Sequence, residues 1–128
     1  MNELIGKKIL SVSISHDEHI LAFTTTQGVI AYETEAEEDQ SETWFASVTN
    51  TNALLNATVQ TVNEVDLKDN FNSTRQKRDN AYRFELLTDK GVTSITFKNS
   101  YPYSAGCLYL YEESLPNDML EITSDWSS

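Results

Sequence analysis

Cysteine is almost absent from the sequence, which excludes an internal disulfide, because Cys107 is the single cysteine among 128 residues. No apolar run approaches the roughly 20 residues that cross a membrane as a helix. No apolar stretch after Met1 resembles a secretion signal. Together these absences predict a soluble protein of a reducing cytoplasm with no membrane partner.

Basic residues are also scarce. The chain has 9 Lys and Arg against 20 Asp and Glu, which gives a net charge of −11. Between Ile9 and Leu67 there are ten acidic residues and no Lys or Arg. Such a chain repels nucleic-acid phosphate and is attracted to basic partners at low salt. We therefore expect no direct contact with nucleic acid, although solubility alone is an alternative reason for the charge.

Catalytic motifs are missing as well. The 4 glycines are scattered, so no glycine-rich loop is available to hold a phosphate. No Gly-x-Ser-x-Gly sequence is present, and only 2 histidines are available as a base for a nucleophile. We expect a protein that is not an enzyme and that uses no cofactor.

Metal ligands crowd together at one place, His16-Asp17-Glu18-His19. His16 and His19 could converge on a cation with Asp17 as a third ligand, but a structural zinc site normally has four ligands at a recognisable spacing. A polar turn between two strands is the favoured interpretation, and we predict no metal.

What the sequence does contain is short alternating runs of Val, Ile, Leu, Phe and Tyr, which are typical of β-strands. Turn residues at Gln27-Gly28 and at Asp89-Lys90-Gly91 predict two hairpins. We predict an all-β fold in a single domain of residues 1–128: an antiparallel sheet or barrel of about eight strands with little helix. The predicted core consists of Leu10, Val12, Ile14, Leu21, Phe23, Val59, Phe84, Leu86, Ile95, Phe97, Leu108 and Leu110.

The strands also follow a pattern that is used twice. The stretch from Leu4 to Val12 is similar to the one fifty residues later, and the stretch from Leu21 to Val29 is similar to the one sixty-three residues later. This predicts two similar halves, at about 4–50 and 54–111, with a loop at 67–80 and a C-terminal tail at 113–128. Gly28 and Gly91 would then occupy equivalent turns with positive φ. Chance alternation among strands is the alternative.

An acidic segment, Glu33 to Glu42, interrupts the strands and leads directly into two aromatic residues, Trp44 and Phe45. Carboxylates attract a basic partner, and a neighbouring aromatic ring supplies apolar contact area. Tyr109 and Tyr111 alternate with Leu108 and Leu110, so one of the two pairs faces solvent or a partner, and exposed tyrosines would have the same use. Ordinary packing on the sheet surface is the alternative. The predicted partner-binding residues are Glu33, Glu35, Glu37, Glu38, Asp39, Glu42 and Trp44.

Several short sequences resemble a family of small uncharacterised proteins of phages and prophages. They are Leu-Ile-Gly-Lys-Lys-Ile at the start, Phe-Thr-Thr-Thr-x-Gly at residues 23–28, Ser-Glu-Thr-Trp-Phe at residues 41–45, and Asp-Lys-Gly at residues 89–91. Members of this family often have Asp-Cys-Cys before the Ser-Glu block, where this chain has Glu38-Asp39-Gln40. The resemblance implies a phage origin, a location in the host cytoplasm and no defined activity.

Composition and resemblance together predict a small acidic phage-type protein that binds a basic surface of a host protein. Inhibition of a nucleic-acid-binding defence factor is one role that such binding would serve. The alternative is a structural or self-assembling phage protein without a catalytic role, in which strand edges pair between copies. The sequence leaves the oligomeric state open.

Overall fold

The fold is nearly all β-structure in a computed structural model that describes residues 1–36, 42–66, 80–100 and 106–128. Within these ranges the helical segments are two short 3₁₀ turns, Asn2–Leu4 and Thr51–Ala53, and no helix is long and apolar enough to cross a membrane. The strands are β1 (Ile9–Ile14), β2 (Ile20–Thr25), β3 (Gly28–Ala36), β4 (Thr43–Thr49), β5 (Val59–Asp66), β6 (Asn80–Thr88), β7 (Gly91–Asn99), β8 (Gly106–Tyr111), β9 (Leu120–Glu121) and β10 (Trp126–Ser127).

Both predicted hairpins are confirmed. β2 turns into β3 and β6 turns into β7, and each returning strand starts at a glycine with positive φ, 113° at Gly28 and 139° at Gly91. A threonine hydroxyl accepts a bond from the amide two residues later in each turn, from Gln27 to Thr25 and from Lys90 to Thr88, both at 3.0 Å. The Thr25 hydroxyl donates to the Gly28 carbonyl at 2.7 Å, whereas the Thr88 hydroxyl donates to the Ala53 carbonyl. Glycine is needed here because it reaches this backbone region without steric cost.

The strands form two antiparallel five-stranded sheets. Sheet 1 has the order β8-β3-β2-β1-β9, and sheet 2 has the order β10-β4-β7-β6-β5. The all-β prediction is therefore confirmed, whereas a closed barrel is not seen among the described residues. The fourth long strand of each half crosses over, so that β4 pairs with β7 and β8 pairs with β3.

One hydrophobic core lies between the two sheets. Its aromatic centre is Phe97, which stacks on Tyr82 at 4.9 Å between ring centroids and meets Phe45 edge to face at 6.3 Å. The predicted core residues that are buried are Val12, Ile14, Leu21, Phe23, Val59, Phe84, Leu86, Ile95 and Phe97, and Leu108 packs against them while partly exposed.

Two predicted core residues are wrong. Leu10 is 43% exposed, because the β1–β2 pairing shifts between Ile9 and Ser11 and Ile9 takes the buried position instead. An extra residue at such a bulge is left out of the alternation. Leu110 is 42% exposed although its partner in β3, Tyr32, is buried, since β8 is at the edge of sheet 1.

Several backbone details recur at the two predicted spacings. The β5–β6 pairing shifts between Val59 and Thr61, fifty residues after the shift in β1. The starts of β1 and β5 also exchange matching bonds: Gly6 donates to Val59 at 2.8 Å, and Asn56 donates to Ile9 at 2.7 Å. Positive φ at both glycine turns is confirmed, while superposition of two whole halves stays a prediction.

The C-terminal tail joins both sheets. β9 pairs with β1, and β10 pairs with β4. Between these two short strands Ile122 is buried in the core, and its amide donates to the Val12 carbonyl at 2.8 Å. Asp125 accepts bonds from the amide and the hydroxyl of Thr51, at 3.0 and 3.2 Å. The tail therefore closes the side of the core between β1 and β4.

Candidate protein-binding surface

Two of the predicted carboxylates lie together on the outer face of sheet 1. Tyr32 and Thr34 point into the core, so alternation along β3 turns Glu33 and Glu35 outward. Glu33 is directly opposite Tyr109 in β8, and Tyr109 is 48% exposed. Side chains at such cross-strand positions have Cβ atoms about 5 Å apart. We call Glu33, Glu35 and Tyr109 the anionic face.

Another part of the outer face of sheet 1 is covered by the tail. Leu115 and Met119 pack, together with Tyr111, against a small cluster of buried residues from β2 and β3. The Tyr111 hydroxyl donates to the Ser114 carbonyl at 2.9 Å, which fixes this first part of the tail. The two tyrosines of β8 thus differ: Tyr111 is half-buried under the tail, and Tyr109 stays accessible beside the carboxylates.

The other predicted binding residues are elsewhere. Trp44 is half-buried on the outer face of sheet 2, where its partner in β7 is Lys98. Glu42 is exposed just before β4, where its backbone amide donates to the Ser100 hydroxyl at 3.0 Å. The structure therefore places Trp44 on a different sheet from the anionic face. Glu37, Glu38 and Asp39 lie outside the described residues.

Two hollows flank the edge strand β8, and exposed Leu110 lines both. The first has a volume of about 550 Å³ and is bordered by Glu112, Glu113 and Lys7. The second has a volume of about 390 Å³ and lies at the edge of the core, with Glu64 at its rim. Glu3 lines both hollows. The surroundings of β8 therefore combine apolar surface with carboxylates.

Glu3 and Tyr32 form a polar contact at the junction of the two hollows. The Tyr32 hydroxyl donates to the Glu3 carboxylate at 2.9 Å. Burial, together with this bond, raises the pKa of the Tyr32 phenol far above its usual range, so the phenol stays a donor. A bond from its own backbone amide, together with the bond from Tyr32, lowers the pKa of Glu3. Glu3 is therefore an anion at neutral pH.

The His16–His19 connector is organised by a carboxylate. Asp17 accepts bonds from the Ser15 hydroxyl at 2.6 Å and from the His19 amide at 3.1 Å. Burial alone would raise the pKa of Asp17, but these bonds lower it. His16 lies 3.4 Å from Asp118 of the tail, and His19 lies 3.6 Å from Asp17. In the part of the chain that the structure describes, no three His, Cys, Asp or Glu side chains are grouped to hold a metal.

Sequence reasoning missed Glu3, Glu64 and Leu110. The two glutamates are far apart in sequence, and they line the same hollow only because β5 and the first 3₁₀ turn lie near the same end of the core. Leu110 alternates like a core residue, and its exposure depends on the position of β8 at a sheet edge. The one sequence feature that could have indicated a binding surface here was the alternation of Leu and Tyr in β8.

Comparison with known proteins identifies no relative from which a function is transferable. No family model matches the chain, and neither a curated protein nor a solved structure is similar to it at a significant level.

Proposed function

We propose that this protein is a binding module that recognises a basic surface of another protein through the anionic face. In a phage context that partner is a host protein, and a nucleic-acid-binding defence factor is a fitting candidate because its own binding surface is basic. Binding would block that surface without any catalytic step.

The observation that carries the proposal is the position of Glu33 and Glu35 beside exposed Tyr109. Carboxylates speed the encounter with a basic partner, and tyrosine adds contact area at low cost in side-chain entropy. Glu112 and Glu113 extend the negative charge along the same strand edge. The net charge of −11 adds long-range attraction.

Affinity capture from a host lysate tests the proposal. The bait is the full chain, and the test variant is Glu33→Gln combined with Glu35→Gln. We expect the variant to retain on the order of a tenth of the wild-type partner at low salt, because two close charges are removed from the contact. Wild-type capture should itself decrease as salt is added.

A matched control is available in Glu85→Gln combined with Glu121→Gln. It removes the same charge, and like the test pair it changes one half-buried and one exposed glutamate. Glu85 is in sheet 2, and Glu121 is in β9, at the edge of sheet 1 opposite β8 and so away from the anionic face. Equal capture by both double variants would contradict the proposal, since only net charge would then matter.

Self-assembly is the second candidate function, and the free edges of β5 and β8 favour it. The outer side of β5 is bonded to Gly6 and Lys7 at Val59, and no described strand pairs with it beyond that residue or with the outer side of β8. Exposed strand edges are templates for pairing between copies. Repulsion between two chains of charge −11 opposes it. Light scattering over a range of protein concentrations separates the candidates, because a monomer at all concentrations would exclude self-assembly.

A further inference from the structure

The tail shows how this fold closes an opening at the side of its core. β9 pairs with β1 through Ile14 and Leu120, and β10 pairs with β4 through Val48 and Trp126. Val48 is fully buried beneath this contact. An extended segment thus bridges the edges of both sheets and inserts one apolar side chain, Ile122, between them.

The edges of β5 and β8 border an opening of the same kind. Leu110 pairs with Tyr32 in β3, as Val48 pairs with Ile95 in β7, and Tyr32 and Ile95 are sixty-three residues apart. In β5, Val62 and Glu64 lie fifty residues after Val12 and Ile14, which hold the tail. The 390 Å³ hollow lies between these edges.

Exposure differs between the two openings. Val48 has no exposed surface, and Leu110 in the matching position is 42% exposed. Val12 is fully buried, while Val62 is half-exposed. The described residues therefore provide two strand edges and an apolar hollow at β5 and β8, but no segment that fills them.

The charge at this opening selects the occupant. Exposed Glu64 takes the place that Ile14 has on the closed side, while Glu3 lines the hollow 3.8 Å from the Met1 ammonium, so Glu64 carries the negative charge of the rim. A second copy of this chain would bring a net charge of −11, and its tail carries Glu121 and Asp125. Carboxylates at the rim favour a basic segment and disfavour this acidic one.

We propose that the opening between β5 and β8 binds an extended segment of a partner protein, with apolar side chains in alternate positions and Lys or Arg between them. The segment pairs with the outer edge of β5 at Val62–Glu64 and with that of β8 at Leu110 by β-strand addition, and one apolar side chain enters the 390 Å³ hollow. The basic character of the partner rests on the proposed function, whereas the strand form of the contact is a new and separate claim.

Nuclear magnetic resonance with a defined probe tests this inference. The probe is a synthetic peptide of residues 120–128 that carries Glu121→Lys and Asp125→Lys, and the comparison peptide has the unaltered sequence. We expect the basic peptide to shift the amide signals of Val62–Glu64 and Leu110–Tyr111 and to bind at least about tenfold more tightly than the acidic one.

Two variants locate the contact. Leu110→Lys should weaken binding of the basic peptide by on the order of tenfold, and Leu10→Lys should leave it unchanged, although Leu10 is equally exposed at 43%. Glu64→Lys affects an exposed side chain and so tests the same site without a risk to folding. It should reverse the preference between the two peptides.

Several other outcomes would contradict the inference. Absence of binding, equal binding of both peptides, or shifts confined to β1 and β4 through displacement of the tail would each overturn the inference. Dimerisation of the protein alone through β5 and β8 would also overturn it. Shifts confined to Glu33, Glu35 and Tyr109 would overturn the strand contact and leave the proposed function intact, which the lysate capture decides independently.

Discussion

At the scale of single residues, Asp125 connects the tail to the 3₁₀ turn that starts at Thr51. Hydrogen bonds from the backbone amides of Thr51 and Asn50 lower the pKa of Asp125 below its ordinary value of 3.8. A depressed folded pKa stabilises the fold at pH values above 3.8, and that contribution is lost as the pH falls through the folded pKa. Acid should therefore loosen the tail.

The Asp125→Asn variant tests this linkage by chemical denaturation over a series of pH values. We expect the variant to be less stable than wild type at neutral pH, because the charged acceptor is lost, and the difference to shrink below pH 3.8. A difference in stability that stays constant across that range would contradict the role given to this carboxylate.

The two turn glycines provide a second residue-level prediction. Alanine at Gly28 or Gly91 would have to adopt a positive φ that is essentially restricted to glycine, at a cost of about 1–3 kcal/mol. A Cβ at Gly91 would also approach the Cβ of Ala53 to 3.3 Å, while a Cβ at Gly28 meets nothing within 4 Å. Gly91→Ala should thus lower the free energy of unfolding in urea more than Gly28→Ala does. Equal losses of unfolding free energy would show that Ala53 moves aside without a cost in stability.

At the scale of elements, removal of the tail should lower the free energy of unfolding more, per residue removed, than removal of any other element. Ile122→Ala should lower the free energy of unfolding by about 2–4 kcal/mol, because it removes a buried side chain from the shared core. Leu120→Ala in the same segment is the control: Leu120 is 56% exposed, and we expect a loss below about 1 kcal/mol. Similar losses for both, measured by urea denaturation, would contradict docking of the tail through Ile122.

The elements themselves could largely be predicted from local sequence. Alternation and turn chemistry gave both hairpins and most of the core, since these depend on neighbours in the chain. Pairing between distant strands was not predictable, and it decides that β8 joins β3 at a sheet edge. Leu110 was misassigned for that reason, and Leu10 because a bulge is invisible in a simple alternating pattern.

The same limit applies to the candidate site. The sequence singled out Glu33 and Glu35 as part of a continuous acidic segment, but alternation across β3 and the crossover to β4 separate them from Trp44. Tyr109 lies beside Glu33 only because β8 pairs with the distant strand β3, and Glu3 and Glu64 come near β8 only through packing. Trp44 stays a predicted contact on the outer face of sheet 2, apart from the anionic face.

At the scale of the whole molecule, charge controls how the protein meets other molecules. A net charge of −11 keeps copies apart and attracts basic proteins over distances comparable to the Debye length, about 8 Å at physiological salt. In our proposal, the anionic face then determines where on the surface the encounter ends. The net charge and the location of the anionic face thus make separate contributions to the association rate, and these contributions differ in their dependence on salt.

The association rate with the captured partner, measured by stopped flow from low to physiological salt, tests the central claim most directly. We predict a steep decrease for wild type and for Glu85→Gln/Glu121→Gln. For Glu33→Gln/Glu35→Gln, we predict a rate about threefold lower at low salt and a shallower decrease. A wild-type rate that does not change with salt would contradict recognition of a basic surface by the anionic face.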